Sequence, residues 1–313
     1  MPALYQALRL LAIPVLLFSA TVSAAELKTV VPGRAHFRNP VAIARLDDAT
    51  AVVANRSGTL SLIDLAKWGV IAEYEVGGRF TDLDVANGRL LVTDSDRSRL
   101  LILEVSRSAA RIVDEIDVPT HPITVLVSPD GSSCTVASKW ARCCSFIDLG
   151  ESPKITSRVE LPFSPAEQLH IPNTERLLVA DAFDGRIALI NTESHEVETV
   201  HHFGAHNIRG LAISQNGQEL LISHQILNDL ALPRRSDIVW GVMIDNLVRT
   251  AKLDKVMSTA DNALYSGRTT SVGYAGQGAG DPDDLFVDQD GRTVIALAGV
   301  NEVFVGEPKS TAF

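Results

Sequence analysis

The sequence contains little cysteine. Cys134, Cys143 and Cys144 are the only cysteines among its 313 residues, and no CxxC or CxxCH motif occurs. Covalent attachment of a c-type haem requires CxxCH, and a cysteine-rich zinc site is typically built from paired CxxC motifs. Both kinds of site are therefore excluded within these residues.

The sequence also lacks an excess of positive charge. Lysine and arginine total 28 and aspartate and glutamate total 38, so the formal net charge is −10. A protein of this charge repels phosphate backbones, so we expect no nucleic-acid partner. Common catalytic signatures are missing as well: there is no GxSxG nucleophile elbow and no HExxH zinc motif. No catalytic residue can be assigned from motifs.

Only one long apolar run is present, at the N-terminus. LLAIPVLLFSATV follows Arg9 and precedes small residues that end at Ala25. A positive charge, a short apolar core and small residues are typical of a secretory signal peptide. We predict that residues 1–25 are this signal and that the mature chain, residues 26–313, is periplasmic or secreted. The alternative, an uncleaved anchor, is disfavoured because Pro14 interrupts a run shorter than the ~20 residues of a spanning helix.

Turn residues recur along the chain at a regular interval. Asn87-Gly88, Asp130-Gly131, Asn173-Thr174 and Asn216-Gly217 each lie between two apolar stretches. The interval is about 43 residues, which indicates an internal repeat. Asp-Gly and Asn-Gly dipeptides favour two-residue type I′ hairpin turns, in which both residues have positive φ. The longer gap before Asp290-Gly291 predicts an insertion in the fifth repeat.

Each repeat contains the same order of four stretches. In the first two repeats, TAVVAN and RLLVTD follow the turn, TLSLIDL and RLLILEV come next, and the more polar VIAEYEV and RIVDEID close the unit. Four short antiparallel strands per ~43 residues are typical of a β-propeller blade, because such sheets bury both faces only when they are stacked. A β-sandwich or jelly roll would not produce so regular an interval. We therefore predict an all-β chain, a β-propeller of four-stranded antiparallel blades.

The repeats resemble a known family. PITVLVSPDGSSCTVASKWARCCSFIDL and NIRGLAISQNGQELLISH are similar to the YVTN-type repeats of secreted bacterial propellers. The resemblance covers residues 39 to 307 and departs from the pattern in the second repeat, which lacks the initial proline, and in the fifth. Propellers of this kind often precede a c-type cytochrome module in one polypeptide. The resemblance therefore implies a redox partner outside these residues.

Six repeats can be counted, and the last stops after its third strand, NEVFVGE. The repeats begin at Pro40, Thr81, Pro122, Pro165, Asn207 and Pro282. Two closures remain open. In one, LKTVVPGR near the N-terminus supplies the missing fourth strand of a six-bladed ring. In the other, which we favour because the resembled family is typically seven-bladed, the natural chain continues beyond Phe313.

Two long segments in the fifth repeat indicate where binding occurs. Residues 224–237 replace the turn between the second and third strands, and residues 258–281 lead into the sixth repeat. Antiparallel strands place these two classes of loop at the same end of the blades. Long loops on a rigid scaffold commonly carry function. We expect the two segments to meet over one mouth of the central channel.

Four side chains near that mouth are candidate metal ligands: His121, His206, His224 and Asp281. Neutral imidazole is the commonest protein ligand for transition metals, so three histidines and a carboxylate are the right chemistry if they converge. The alternative, which we favour, is that these residues hydrogen-bond neighbouring loops. Spacing in the sequence does not establish convergence.

The fifth-repeat insertion also carries candidate docking residues: Asn228, Arg234, Arg235, Asp237 and Trp240. Arginine and tryptophan are enriched at protein interfaces, so this loop predicts a docking surface. The alternative for Trp240 is that it begins the third strand, IVWGVMID, and packs between blades. Both interpretations remain open for the arginines.

These observations predict a periplasmic or secreted binding and docking module, the scaffold of a cytochrome-c-linked redox protein. No cofactor is expected in this chain, and haem c belongs to the implied C-terminal module. The expected partner is a protein or that fused module, with a small molecule at the channel mouth as a further ligand. The alternative is a propeller enzyme, either a lactone hydrolase or a quinone-dependent dehydrogenase. A third hypothesis is a cell-envelope interaction protein without a redox partner.

Overall fold

The structure is a computed structural model that describes residues 27–29, 38–239, 243–259, 263–265, 267–272 and 280–306. The predicted signal peptide lies outside the described residues. Within the described part of the chain, no helix is long and apolar enough to cross a membrane. The chain divides into two compact units, with the boundary between Pro162 and Phe163.

The first unit contains three antiparallel sheets, each built from one repeat. The strands of the first sheet are β1 (Lys28–Thr29), β2 (Pro40–Arg45), β3 (Thr50–Asn55), β4 (Thr59–Asp64) and β5 (Gly69–Glu75). The second sheet contains β6 (Phe80–Ala86), β7 (Arg89–Asp94), β8 (Arg99–Val105) and β9 (Ala110–Asp117). The third contains β10 (Pro122–Val127), β11 (Ser133–Ser138), β12 (Cys143–Asp148) and β13 (Lys154–Glu160).

The second unit contains the remaining three repeats. The fourth blade has β14 (Pro165–His170), β15 (Arg176–Asp181), β16 (Asp184–Asn191) and the first half of β17 (Glu196–Ile213). The fifth has the second half of β17, β18 (Glu219–Leu227), α1 (Arg235–Val239), β19 (Ile244–Lys252), α2 (Leu253–Val256) and β20 (Arg268–Ser271). The sixth has β21 (Pro282–Val287), β22 (Thr293–Leu297) and β23 (Glu302–Val305). The prediction of an all-β propeller of antiparallel blades is confirmed, although among the described residues the first sheet has five strands, the sixth has three, and the fourth and fifth blades share one seven-stranded sheet.

Stacking of the sheets explains why the middle strands read as nearly continuous apolar runs. Leu90, Leu91 and Val92 are consecutive in β7 and are all buried. Alternate residues of a strand point to opposite faces, so consecutive burial requires cover on both faces. The cover is provided by neighbouring blades: one apolar cluster includes Leu90 and Val92 and joins the first blade to the second, and another includes Leu91 and joins the second to the third.

Carboxylates of the second blade bind the edge of the third. Oδ2 of Asp82 accepts a hydrogen bond of 2.9 Å from the backbone N–H of Val125, and Oδ2 of Asp84 accepts one of 2.9 Å from Val127. The inner strand of a blade has one unpaired edge, and its N–H groups need partners when water is excluded. These two side chains provide partners from the adjacent blade.

The N-terminal strand does not close the sixth blade. β1 pairs with β5, so that Lys28 lies opposite Glu75 and Thr29 opposite Tyr74 at the outer edge of the first blade. The alternative closure, in which LKTVVPGR supplies the fourth strand of the last blade, is wrong for the described residues 27–29. These residues add a fifth strand to the first blade because its outer edge is adjacent to them and unpaired.

The repeating turns differ from one blade to another. Asn87 and Gly88 both have positive φ and join β6 to β7 directly, as a type I′ turn requires. At Asp130-Gly131, only the glycine has positive φ, and the loop between β10 and β11 is longer. The type I′ prediction is therefore wrong there. Asp130 instead binds the hydroxyls of Ser128 and Ser132, which stabilises the wider loop.

The insertion in the fifth blade differs from its prediction in two ways. IVWGVMID was expected to begin the third strand, but Arg235–Val239 is a helical turn and the strand begins at Ile244. Residues 258–281 were expected to be a loop, but they contain β20, the fourth strand of the blade. Local patterns of three or four apolar residues do not distinguish a buried strand from a helical turn.

Candidate functional site

The second and third strands of the fifth blade extend beyond their counterparts in the other blades. β7 ends at Asp94 and β15 ends at Asp181, whereas β18 continues past the corresponding His224 to Leu227. Pairing with β19 continues to the Leu227–Ile244 pair. Three additional residues at ~3.3 Å each lengthen the hairpin by about 10 Å. We call residues 225–246 the extended hairpin.

The end of the extended hairpin exposes four large aliphatic side chains. Leu230 is 84% exposed, and Leu227, Leu232 and Ile244 are each nearly half exposed. A single exposed leucine is ordinary, but four large aliphatic side chains in one hairpin form a patch of the kind that marks interaction sites.

Two of the predicted docking residues, Asn228 and Asp237, accept hydrogen bonds from backbone N–H groups of the loop. Oδ1 of Asn228 accepts a hydrogen bond of 3.1 Å from the N–H of Leu230, and Oδ2 of Asp237 accepts one of 3.0 Å from the N–H of Leu232. These two hydrogen bonds stabilise the backbone at Leu230 and Leu232. Local hydrogen bonds from asparagine and aspartate commonly stabilise such turns.

The predicted docking arginines are at the surface. Arg234 and Arg235 are exposed, and neither forms an ion pair with a described residue. Exposed guanidinium groups of this kind can bind carboxylates. Trp240, the remaining docking candidate, lies outside the described residues.

A polar network lies at the base of the extended hairpin. Gln225 accepts a hydrogen bond of 2.8 Å from Asn207 and donates one of 2.9 Å to Asn246 and a longer one of 3.4 Å to Asp281. The N–H of Leu227 donates to Nδ1 of His206 at 3.3 Å. Two predicted metal ligands, His206 and Asp281, are thus hydrogen-bonded to the hairpin.

His224 lies deeper, in the layer between the fourth and fifth blades. It is completely buried, and its ring makes an edge-on contact with Phe203 at a centroid distance of 5.5 Å. Nδ1 is 3.1 Å from the carbonyl oxygen of Gln225, and Nε2 has no hydrogen-bond partner among the described residues. Burial lowers the pKa of His224 to about 4, so the ring is neutral at pH 7.

Arg249 contacts the same phenylalanine. Its guanidinium carbon is 5.0 Å from the centroid of Phe203, and Nη1 donates a hydrogen bond of 3.0 Å to the carbonyl oxygen of Leu264. Arg249 is 8% exposed, and its Nε has no hydrogen-bond partner in the described part of the chain. Burial lowers the pKa of this guanidinium as well. A buried arginine without a carboxylate partner among the described residues is unusual.

His121 belongs to the first unit. Its ring packs on Trp140 at a centroid distance of 5.6 Å, and its backbone carbonyl accepts a hydrogen bond from Lys139. Burial, followed by the charge of Lys139, lowers the pKa of His121. The three other candidate ligands are in the second unit. Among the described residues, no three histidine, cysteine, aspartate or glutamate side chains are arranged to hold a metal ion.

The sequence reasoning did not select Arg249, Phe203 or the exposed leucines. Alignment of the repeats would have identified Arg249. Arg249 lies opposite Ile222, two residues before His224. In the first four blades the residues opposite the position two before the end of the second strand are Ser61, Leu101, Ser145 and Ala188. A charge therefore replaces small or apolar side chains at one blade only. The leucines are not distinguished from core residues by sequence, because their exposure depends on how far the hairpin extends.

Comparisons with known proteins support the fold. The sequence matches no protein-family model and no curated protein at a significant level. Among solved structures, the chain is similar to hydrazine synthase of Kuenenia stuttgartiensis, with a TM-score of 0.73 and 18% sequence identity over 88% of this chain and 79% of that chain. At this identity the likeness shows the fold alone. Together with the antiparallel sheets, it confirms an all-β chain with a propeller arrangement.

Proposed function

We propose that this chain is a binding and docking module that holds a partner protein at the end of its extended hairpin. One observation carries the proposal: Leu227, Leu230, Leu232 and Ile244 are exposed together on a backbone held by hydrogen bonds. A two-stranded ribbon is marginally stable alone, and an apolar face without cover favours association.

The arginines define the chemistry of the partner. Arg234 and Arg235 lie in the loop between Leu232 and Ile244, in a chain whose net charge is −10. Arginine forms bidentate hydrogen bonds with carboxylates and is favoured at interface centres. The proposed partner therefore has an apolar contact patch that includes at least one carboxylate. A second copy of the chain is disfavoured because two chains of net charge −10 repel each other.

The wider setting of this function is also a proposal. It rests on the predicted signal peptide and on the resemblance to YVTN-type repeats, which together favour a periplasmic or secreted protein attached to or associated with a c-type cytochrome. No sequence motif in this chain attaches haem.

Site-specific crosslinking tests the docking surface. A photoreactive amino acid at position 230 of the full chain, expressed in its natural host, should form one discrete adduct. The same probe at position 68 is the matched control, because Trp68 is 81% exposed but lies in the turn between β4 and β5. The adduct at 230 should be lost on Arg235→Glu and should be absent at position 68.

Other results would overturn the proposal. An adduct of twice the mass of the chain means that a second copy covers the hairpin. The absence of an adduct at position 230, or an identical adduct at 230 and 68, means that the hairpin is not a docking surface.

The redox setting has a separate test. The native polypeptide should be recovered from the envelope or secreted fraction with its N-terminus near residue 26, and its band should stain for covalent haem or copurify with a band that does. A haem-free native chain without such a companion contradicts the cytochrome association. This result does not bear on the docking surface, which the crosslinking experiment tests.

A further inference from the structure

The loops at one end of the first unit are basic, although the chain carries a net charge of −10. In each of its three blades one loop joins the second strand to the third: residues 56–58, 95–98 and 139–142. At the same end, Arg79 and His121 directly precede the inner strands of the second and third blades. The bases in these positions, which we call the basic arc, are Arg56, Arg79, Arg97, Lys139 and Arg142, and the one acid among them is Asp96.

The other end of the same three blades has the opposite balance of charge. The turns between the first and second strands and between the third and fourth contain four acids and two bases. These are Asp47, Asp48, Asp130 and Glu151, and Lys67 and Arg107. The charges of the first unit are therefore sorted along its strands, and the end that carries the basic arc is the one that attracts anions.

Contacts between neighbouring blades show that the basic arc is continuous. The carbonyl of Gly58 accepts a hydrogen bond of 2.9 Å from the N–H of Gly77, and a Cβ at Gly77 would lie 3.5 Å from Nη2 of Arg97. On the other side, the hydroxyl of Thr81 donates a hydrogen bond of 2.9 Å to the carbonyl of Pro122, so the inner strands of the second and third blades begin side by side. Stacked sheets are about 10 Å apart, so loops of three consecutive blades span about 20 Å.

Most of the basic arc is exposed and has no acidic partner. Arg56, Arg79 and Arg142 are exposed, and none of them forms an ion pair with a described residue. The side chain of Arg97 is 54% exposed and lies 3.6 Å from a carboxylate oxygen of the buried Asp94. Unpaired like charges repel one another, and a bound anion removes that repulsion.

Trp140 provides an apolar contact within the basic arc. Its ring is 56% exposed, packs on His121 at a centroid distance of 5.6 Å, and lies 5.4 Å from Nζ of Lys139. Burial lowers the pKa of His121, and the nearby charges of Lys139 and Arg79 lower it further. Two bases therefore lie beside the same pair of rings. Tryptophan and arginine are the residue types most enriched among the anchors of protein interfaces.

Acids at the outer strands limit the shape of a ligand. Glu75, Asp117 and Glu160 end the fourth strands of the three blades, at the same end of the unit as the basic arc, and all three are exposed. A broad anionic surface, such as a membrane, would meet these carboxylates as well as the arc and would be repelled by them. A narrow, elongated anion meets the arc alone. An extended polypeptide covers about 20 Å with about six residues, so its length matches.

We propose that the basic arc binds an extended polypeptide segment rich in aspartate and glutamate. Arg79 and Lys139 bind carboxylates beside Trp140, which contacts an apolar side chain of the segment, and the other bases bind carboxylates farther along it. An arginine donates two parallel hydrogen bonds to one carboxylate, so the arginines add geometric selectivity to the attraction of charge. The site shares no residue with the extended hairpin, so it is independent of the docking surface proposed above.

Fluorescence anisotropy of a labelled peptide, titrated with the full chain, tests the proposal. The probe is an octapeptide with glutamate at every position except a central pair of leucines, and the matched control peptide has glutamine in place of each glutamate. At about 20 mM salt the acidic peptide should bind saturably with a Kd below about 100 μM, and its affinity should fall several-fold at about 150 mM because salt screens exposed charges. The glutamine peptide should not bind.

Variants locate the site on the first unit. Arg79→Gln combined with Lys139→Gln should weaken binding of the acidic peptide by about tenfold. The matched control is Lys67→Gln combined with Lys154→Gln, which removes two exposed bases from the other end of the same unit and should leave the affinity within about twofold. Leu230→Ser in the extended hairpin should also leave it unchanged.

Trp140→Ala tests the aromatic contact separately from charge. This variant should weaken binding of the glutamate–leucine peptide more than binding of a peptide of glutamates only, because only the first has an apolar side chain to place against the ring. If a variant does not fold, the comparison of the glutamate and glutamine peptides on the unaltered chain decides whether an acidic polypeptide binds.

Three results would overturn the proposal. The first is no saturable binding of the acidic peptide at about 1 mM chain and low salt. The second is an equal loss of affinity in the two double variants, which means that the peptide responds to charge in general and not to the basic arc. The third is tighter binding of a galacturonate oligomer of the same length and charge, which means that the arc recognises an acidic polysaccharide and not a polypeptide.

Discussion

Leu227 and Ile244 lie opposite each other in the last pair of the β18–β19 ladder, and nearly half of each side chain is exposed. In the same strand, Leu220 is completely buried and lies opposite Ala251. The two ends of one hairpin therefore have opposite roles. One end packs in the core, and the other presents apolar surface outward.

This difference predicts which leucine substitutions lower the stability of the fold and which weaken binding of the partner. Leu227→Ser should change the free energy of unfolding by less than about 1 kcal/mol, because little buried surface is lost. Leu220→Ala should cost ~2–5 kcal/mol, as is usual for a large-to-small change in a core. Urea denaturation measures both. The Leu227 variant should also weaken the crosslinked adduct at position 230, and a large loss of stability in this variant would show that Leu227 is structural.

Asp84 should be a structural carboxylate. It is buried and accepts hydrogen bonds from the N–H of Val85 at 2.8 Å and of Val127 at 2.9 Å. Asp84→Asn keeps one acceptor oxygen but points an NH₂ group at the other N–H, so we expect a loss of ~1–3 kcal/mol in unfolding free energy. Asp117→Asn, which alters an exposed ion pair with Arg99, should cost less than about 1 kcal/mol. Equal effects of the two variants would contradict this role.

Gly78 and Gly88 illustrate two different reasons why a position requires glycine: a positive φ and a lack of space for a side chain. Both have positive φ, but a Cβ at Gly78 would lie 2.1 Å from Oδ2 of Asp94, whereas a Cβ at Gly88 meets no atom within 4 Å. Oδ1 of Asp94 is fixed by the N–H of Arg79, so the carboxylate cannot move away without losing that bond. Gly88→Ala should cost ~1–2 kcal/mol from backbone strain alone. Gly78→Ala should cost clearly more, and equal melting temperatures for the two variants would refute the steric argument.

The buried His224 should make the protein less stable in acid. Its pKa is about 4 in the folded chain, whereas an accessible imidazole has an ordinary pKa of 6.5. Between these values the unfolded state binds the proton and the folded state does not, so the free energy of unfolding falls as the pH falls from 6.5 to about 4. The loss is up to about 3 kcal/mol. Arg249 and His206 are the charged neighbours that oppose protonation besides burial itself.

His224→Asn isolates this contribution, since asparagine occupies the corresponding position in the first blade. The unfolding free energy of the unaltered chain, minus that of the variant, should fall steadily as the pH is lowered from 6.5 to about 4. Parallel stability curves for the two proteins would mean that His224 is protonated normally in the folded state.

The repeat pattern predicted most of the fold because each blade is specified locally. The turn Asn87-Gly88 and the apolar runs around it indicate a hairpin on their own, and repetition at a fixed interval indicates stacking. Two of the predictions that failed concerned features without a local cause. Nothing in residues 27–29 indicates which blade edge they join, and nothing in residues 235–239 distinguishes a helical turn from a strand.

The candidate site was predicted only in part. The repeat interval located the fifth-blade insertion, and residue type singled out Arg234 and Arg235, which the structure shows as exposed. The roles of Asn228 and Asp237, which hold the loop, follow from hydrogen bonds that depend on the folded backbone. Arg249 could have been found by comparing repeats, since it is a charge at a position that is otherwise small or apolar.

The amino-acid sequence by itself determined the repeating all-β architecture, the charge of −10, the absence of haem-attachment motifs and the location of the insertion. These are properties of composition and short-range order. Only the tertiary structure decided that Leu227 and Ile244 are exposed while Leu220 is buried, and that His224 and Arg249 share one phenylalanine. The reason is physical: burial and side-chain pairing depend on which blade covers a strand and on how far the strand extends beyond that cover.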